Sequence, residues 1–451
     1  MNDNGPHFTV PDRDSPLQRF KRFRDDPELL GLQQQLRQIN VWDIPVVQQI
    51  YFQAKVGTFD GRGKAIIQLK KILEDHKKLN MVLDDAFMPY ALAHQINNGG
   101  RGIHVLNQAY NLYPYYVDPY TFATIWLVSG PQGGGKSTAV FHVLSQVNVP
   151  MLVLDPKNTW RFRAEGLAAD VIEPEYLSFD FDFDEYFLPQ YLHSIAGGIS
   201  EATGLQYGIG VVYEAIEIVL RQRQQYIQNT GGSRTPLCLK DFYLATWLCD
   251  NKGSKRSMYI ESVRAALKML LGENKLFENR GGLPLDELIN GRYILPCQYL
   301  STVQSRFLGW LLLNYIQFKS LGMPETTQLK RLVVIDDASK FVSKPDTVFG
   351  AGAKTGVYLH ILSTLRSTGT GVIFIDQLVE PIYDDVKQLA NNWLVVGGMR
   401  GTRNQSEVAS AMGLTKKEAD TLVRLQQKEA VVFCPRTYPK AIHGFIPEIK
   451  I

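Results

Sequence analysis

The nine residues GPQGGGKST at 130–138 constrain this chain more than any other stretch. They follow the apolar run TIWLV at 124–128 and precede TAVFHVLSQV, whose apolar residues recur at helical spacing. Strand, glycine loop and helix in that order make a phosphate cradle. Gly130, Gly133, Gly134 and Gly135 let backbone N–H groups turn inward, Lys136 is placed for the terminal phosphates, and the Ser137 hydroxyl is placed for Mg²⁺. Thr138 completes the loop where the helix begins, and the helix N-terminus adds a field that favours an anion. The loop predicts a bound nucleoside triphosphate with Mg²⁺.

Further apolar runs follow: MLVLD at 151–155, RYILPC at 292–297, RLVVID at 331–336, GVIFID at 371–376, WLVVGG at 393–398 and AVVFCP at 430–435. Runs that are continuous rather than alternating belong to strands covered on both faces, the mark of a parallel sheet between helices. Between about 196 and 285 the strand signal vanishes and helical spacing takes over. Residues 1–115 read as mostly helical, as in AIIQLKKILEDHKKL at 65–79, with turn signals at GTFDGRGK and NNGGRG. At roughly 150 residues per domain, two or three domains fit the length. The expected division is a helical appendage at 1–115, an α/β core at 116–195 and 286–451 ending in a C-terminal tail, and a helical insertion at 196–285.

LVVIDDASKF ends an apolar run on Asp336 and Asp337. An isolated match of this kind is also what acids capping a turn look like. Beside a phosphate loop it suggests a division of labour, with Asp336 on Mg²⁺ and Asp337 orienting and deprotonating the attacking water. LRSTGTGVIFIDQL places Gln377 just past another strand, where it can touch a γ-phosphate or simply be solvated.

Composition excludes some functions. With 48 basic and 45 acidic residues the net charge is only +3, so no global basic field draws nucleic acid. RFKRFR at 19–24 and NKGSKR at 251–256 are local basic candidates. Cys238, Cys249, Cys297 and Cys434 lack metal or redox spacing, which suggests a reducing compartment. No apolar run reaches the length of a membrane helix, and the N-terminus MNDNGPHFTVPDRD is polar. A soluble, cytoplasmic protein without a membrane span is expected.

In order along residues 120–450, the chain resembles the HerA/FtsK superfamily of P-loop ATPases, and most closely its HerA-like and conjugative coupling branches. The resemblance rests on GPQGGGKST, LVLDPKNTW at 152–160, LDELINGRYILPCQYLSTVQSRFLGWLLLNYI at 285–316, LVVIDDASKF, RSTGTGVIFIDQLVEPI and NNWLVVGGMRGT with the helix and strand after it. It implies a RecA-like α/β core, ATP hydrolysis, a homohexameric ring, translocation of double-stranded DNA and a partner protein, often a nuclease. It implies roles for Lys136 and Ser137 at phosphate and Mg²⁺, Asp336 at Mg²⁺, Asp337 in water activation and Gln377 in γ-phosphate sensing. Arg366 falls where the family supplies an arginine to the neighbouring subunit's nucleotide, with Arg400 a second candidate. Two departures mark a divergent branch: Asp337 stands where Glu is usual, and residues 1–115 lack the alternation of HerA's small β-barrel. Two functions remain open, a DNA-translocating motor and an ATP-gated assembly platform or switch in an anti-mobile-element complex.

Overall fold

The structure, a computed structural model, describes residues 26–38, 45–56, 59–80, 102–108, 114–178, 188–205, 207–231, 237–250, 252–272, 276–343, 357–399 and 401–447. The chain forms two compact units: residues 1–102, 106–116 and 442–445 in one, and 103–105, 117–441 and 446–451 in the other.

In the first unit, helices α1 (Pro27–Gln38), α2 (Pro45–Val56) and α3 (Phe59–Asn80) share a core of their own. Leu29, Leu32 and Leu36 of α1 cluster with Ile50 and Ala54 of α2 and Leu69 of α3, each helix repeating its apolar residues at three or four. Asp26 caps α1 by accepting the N–H groups of Glu28 and Leu29 at 2.9 and 3.2 Å, and its second oxygen pairs with Arg62. GTFDGRGK, expected to break the chain, instead supplies the first turns of α3 from Phe59 onward. Gly61 and Gly63 each cost a helix roughly 1 kcal/mol, which the Asp26–Arg62 pair and buried Ala65 and Ile66 offset. NNGGR at 97–101 lies outside the described residues. Strands β1 (Ile103–Gln108) and β2 (Pro114–Val117) were not foreseen in a region expected to be helical, and β1 pairs antiparallel with β11 (Ile442–Phe445).

The second unit begins with β3 (Ile125–Ser129), α4 (Lys136–Leu144), β4 (Met151–Asp155) and β5 (Asp170–Val171). Helices α5 (Leu188–Thr203), α6 (Ile209–Thr230), α7 (Leu239–Ala245) and α8 (Ser254–Leu271) follow before α9 (Leu285–Asn290), β6 (Arg292–Pro296) and α10 (Thr302–Ser320). Then come β7 (Arg331–Asp336), α11 (Val357–Ser367), β8 (Thr370–Asp376), α12 (Asp384–Leu389), β9 (Asn392–Val396), α13 (Thr402–Ala411), α14 (Lys416–Arg424) and β10 (Glu429–Phe433). Trp310 of α10 donates its indole N–H to Ser194 O of α5 at 2.9 Å, and a Cβ on Gly198 would lie 2.3 Å from that ring, so a residue without a side chain lets the helices approach.

The strands of this unit lie in the order β10-β9-β3-β8-β7-β4-β6-β5. Neighbours from β9 to β5 run parallel, and β10 runs antiparallel to β9. AVVFCP, grouped with the parallel runs in the sequence, is therefore corrected: an apolar run reports burial on both faces and says nothing of direction. Every residue of β3, β4, β8 and β9 is buried. Register sets the site. Ser129 lies opposite Asp376, and Asp336 lies opposite Ile375, so the carboxyl ends of β3, β8 and β7 finish side by side.

Candidate nucleotide site

The loop between β3 and α4 is pressed against the end of β9. Gly130 has φ +152°, and a Cβ there would sit 2.0 Å from Val396 O. Gly397, with φ +70°, faces Gly134 Cα at 2.5 Å from where its own Cβ would be. Neither position admits a side chain. On the outer side, Gln427 Nε2 donates to Gly133 O at 3.1 Å and Lys428 N to Gly134 O at 3.3 Å. Gly135, in the left-handed region, starts α4.

Lys136 is 8% exposed and donates to the carbonyls of Gly130 and Pro131 at 2.8 and 2.9 Å. Burial lowers its pKa first and the like charge of Lys157 second, while Asp336, Asp376 and Asp337 pull the other way. An anion at this loop would relieve both costs. Thr138 Oγ1 accepts from Arg163 Nη2 at 3.2 Å, and the Arg163 guanidinium lies over the rings of Phe141 and Trp160.

Opposite the loop, Ser137 Oγ meets Asp336 Oδ2 at 3.3 Å. The same oxygen accepts the indole N–H of fully buried Trp160 at 2.9 Å, and Asp336 Oδ1 accepts Asp337 N–H at 2.9 Å. Asp337 has φ 47° and ψ 56°, left-handed geometry that Asp tolerates better than most residues, and its carboxylate forms an ion pair with Lys157. Two more buried acids close the floor. Asp155, 0% exposed, accepts Lys157 N at 3.2 Å and Trp160 N at 2.7 Å. Burial raises its pKa against those donors, and Asp336 raises it further. Asp376 accepts Ser339 N at 2.7 Å and Gln377 N at 2.6 Å, and burial likewise raises its pKa.

The structure thus brings Lys136, Ser137, Asp336 and Asp337 together. Gln377 stands just past β8, its carbonyl accepting from Ser129 Oγ at 3.4 Å. Arg366 is elsewhere. It ends α11 before β8 begins, so the seven residues of β8, at roughly 3.3 Å each, separate it from its own loop. Its Nη1 donates to Asn391 Oδ1 at 3.4 Å. Arg400 and RFKRFR lie outside the described residues. In NKGSKR, Lys252 pairs with Asp250 at 3.6 Å and Arg256 pairs with Glu214, so two of its charges are met within the chain.

Trp160, Lys157, Asp155 and Gly397 were not singled out from the sequence for roles at the site. The available signals were a tryptophan in a polar turn directly after a buried strand, and a glycine pair closing WLVVGG. Among the described residues no group of three His, Cys, Asp or Glu could hold a metal by itself. Mg²⁺ fits here in another way: Ser137 and Asp336 offer two hard oxygens already converging, and phosphate oxygens would complete the shell. The four cysteines are free and buried, and no helix among the described residues is long and apolar enough to cross a membrane.

A phosphate loop after β3, and a carboxylate strand β7 separated from it by β8, define a RecA-like α/β P-loop NTPase fold. VirB4 of Thermoanaerobacter pseudethanolicus shares it at 14% identity and TM-score 0.58, over 78% of this chain and 97% of that one. The bacterial conjugative coupling protein TrwB shares it at 14% identity and TM-score 0.54, over 80% and 92%. TrwB in complex with ADP and Mg²⁺ gives 14% and 0.51, over 74% and 89%. This likeness is one of fold, and it is the fold that the motif resemblance to the HerA/FtsK superfamily implies. No protein-family model and no curated protein matches the sequence.

Proposed function

We propose that this chain is an ATP-hydrolysing motor that assembles as a homohexameric ring and translocates double-stranded DNA, working with a partner processing enzyme such as a nuclease. The observation that carries the nucleotide chemistry is the approach of Ser137 Oγ to Asp336 Oδ2, 3.3 Å, next to a loop whose carbonyls hold the Lys136 ammonium. TrwB, of the same fold, binds ADP and Mg²⁺. Here Mg²⁺ would be held by Ser137, Asp336 and phosphate oxygens, and would neutralise charge on the β- and γ-phosphates.

Lys136 exchanges the carbonyls of Gly130 and Pro131 for phosphate oxygens. Asp337 takes a proton from water as the water oxygen bonds to the γ-phosphorus. The bond from that phosphorus to the β–γ bridging oxygen breaks, leaving ADP and phosphate. Gln377 reports loss of the γ-phosphate from the end of β8. Arg366, at the other end of the strands from its own loop, is assigned to a neighbour's nucleotide, and the active species is accordingly an oligomer.

A second reading, the ATP-gated platform, draws on Asp337: it is one methylene shorter than Glu and is already paired with Lys157, which favours slow hydrolysis. The deciding experiment titrates ATP turnover with linear duplex DNA at low salt, with the oligomer measured in the same buffer. The motor predicts a rise in rate. Affinity should then fall roughly 10³-fold or more between about 50 and 200 mM salt if about six phosphates are engaged. An assembled oligomer that neither binds DNA nor changes its rate leaves the platform.

A further inference from the structure

Lys157 has no part in the chemistry above, yet it is built into the site. It follows Asp155 and Pro156 at the carboxyl end of β4, in a turn closed on a fully buried carboxylate: Asp155 accepts both Lys157 N and Trp160 N. From that fixed base the Lys157 side chain, 39% exposed, reaches Asp337 Oδ1. Asp337 is equally fixed at its backbone, its N–H on Asp336 Oδ1 and its carbonyl accepting Lys340 N at 2.9 Å. Lys157 also lies close enough to Lys136 for the two like charges to act on each other. The cation beside the phosphate loop and the acid that must accept the water's proton therefore occupy one another.

We propose that Lys157 is a γ-phosphate-gated positioning residue, which holds Asp337 while the loop is empty and moves its ion pair to the γ-phosphate when ATP binds, freeing Asp337 for water. This rests on the ATP-hydrolysing reading of the site. Magnitudes favour the exchange. A partly exposed lysine–carboxylate pair is weak because water screens it, whereas a γ-phosphate brings more charge and more acceptor oxygens to the same ammonium. The turn need not move, because the flexible lysine stem alone can redirect the charge.

Exchange makes Asp337 and the γ-phosphate competitors for one cation, so they are thermodynamically coupled through Lys157. A pair that only staples the turn at 155–160 to the turn at 336–340 has no such coupling. The test measures the affinity of the full chain for a non-hydrolysable ATP analogue and for ADP, both with Mg²⁺, in wild type, Lys157→Met, Asp337→Asn and the double variant. Thermal melts are taken alongside, and Lys157→Gln substitutes if Lys157→Met does not fold.

Asp337→Asn should tighten the ATP analogue at least roughly threefold more when Lys157 is present than when it is absent. ADP should show no such difference, and Lys157→Arg should retain most of the coupling. Equal gains in both lysine backgrounds, or the same coupling with ADP, overturn the inference while leaving the nucleotide site intact. A wild-type chain that binds neither nucleotide, indistinguishable from Lys136→Ala, overturns the ATP reading and this inference with it.

Discussion

Trp160 Nε1 donates to Asp336 Oδ2 at 2.9 Å, and the same oxygen faces Ser137 Oγ. A buried indole carried by the turn after β4 thus orients the carboxylate proposed for Mg²⁺, much as outer-shell partners fix metal ligands elsewhere. Trp160→Phe removes the donor and part of the volume of a side chain that is 0% exposed. Stability should fall by about 1–3 kcal/mol, seen as a lower thermal midpoint. The Mg²⁺ concentration for half-maximal ATP turnover should rise as well. A folded variant with unchanged Mg²⁺ dependence would show that the contact is only packing.

Asp337 sits directly after Asp336, with its carboxylate turned to Lys157. Asp337→Asn should still retain ATP but lose at least roughly 10²-fold in turnover, because an amide cannot take the proton from water. Asp337→Glu should be tolerated or faster, since the added methylene carries the base further toward the γ-phosphate. Single-turnover cleavage measured beside nucleotide retention separates the outcomes. Lost retention with unchanged cleavage per bound ATP contradicts the role.

Much of this site was legible in the sequence because its backbone demands are local. A glycine loop after a buried strand, and two acids ending another, announce themselves by residue type and spacing, and register then placed Ser137 beside Asp336. What was not legible depends on partners distant in the chain. Trp160 reaches Asp336 across 176 positions, and Gly397 is required both by its φ of +70° and because the turn after β9 packs against Gly134. Phe59 to Lys64 were misjudged because tertiary packing overrode the poor helix propensity of Gly61 and Gly63. β10 showed its burial but not its antiparallel direction, which no apolar run encodes.

His142 on α4 predicts a pH dependence of stability. Its Nε2 lies 3.2 Å from His104 Nδ1, and burial first, then the neighbouring imidazole, push its pKa from 6.5 down to about 4. Between those values the unfolded chain binds a proton that the folded one refuses, so stability is full above about pH 6.5 and lost as pH falls toward about 4. Solvent screening of this half-buried ring reduces the effect to roughly 1–2 kcal/mol. Asp155 and Asp376, whose pKa values are raised, act with the opposite sign over acidic pH, so the comparison must be between variant and parent. His142→Gln should flatten the fall of thermal midpoint between about pH 6.5 and 4 relative to wild type. Parallel curves would mean that the unfolded chain and the fold hold this proton alike.

Arg366 carries the prediction about assembly. It is half-buried at the amino end of β8, where burial lowers its pKa and the nearby charge of Arg436 lowers it again. Among the described residues neither arginine has an ion-pair partner, and Asn391 gives Arg366 only a long hydrogen bond of 3.4 Å. A guanidinium so placed would be stabilised by an anion from outside the chain, and a neighbour's γ-phosphate is such an anion. Arg366→Ala alone should therefore abolish turnover without weakening ATP binding at its own loop, and Lys136→Ala alone should abolish turnover through the loop. Mixed and reassembled at equal amounts, about a quarter of the interfaces regain an intact loop from one subunit and an intact arginine from the next, if mixing is random. Turnover should recover toward that fraction in the mixture and in neither variant alone. Full activity of Arg366→Ala, no recovery in an assembly shown to contain both variants, or a monomer by light scattering with ATP and Mg²⁺ present, would each remove the composite site.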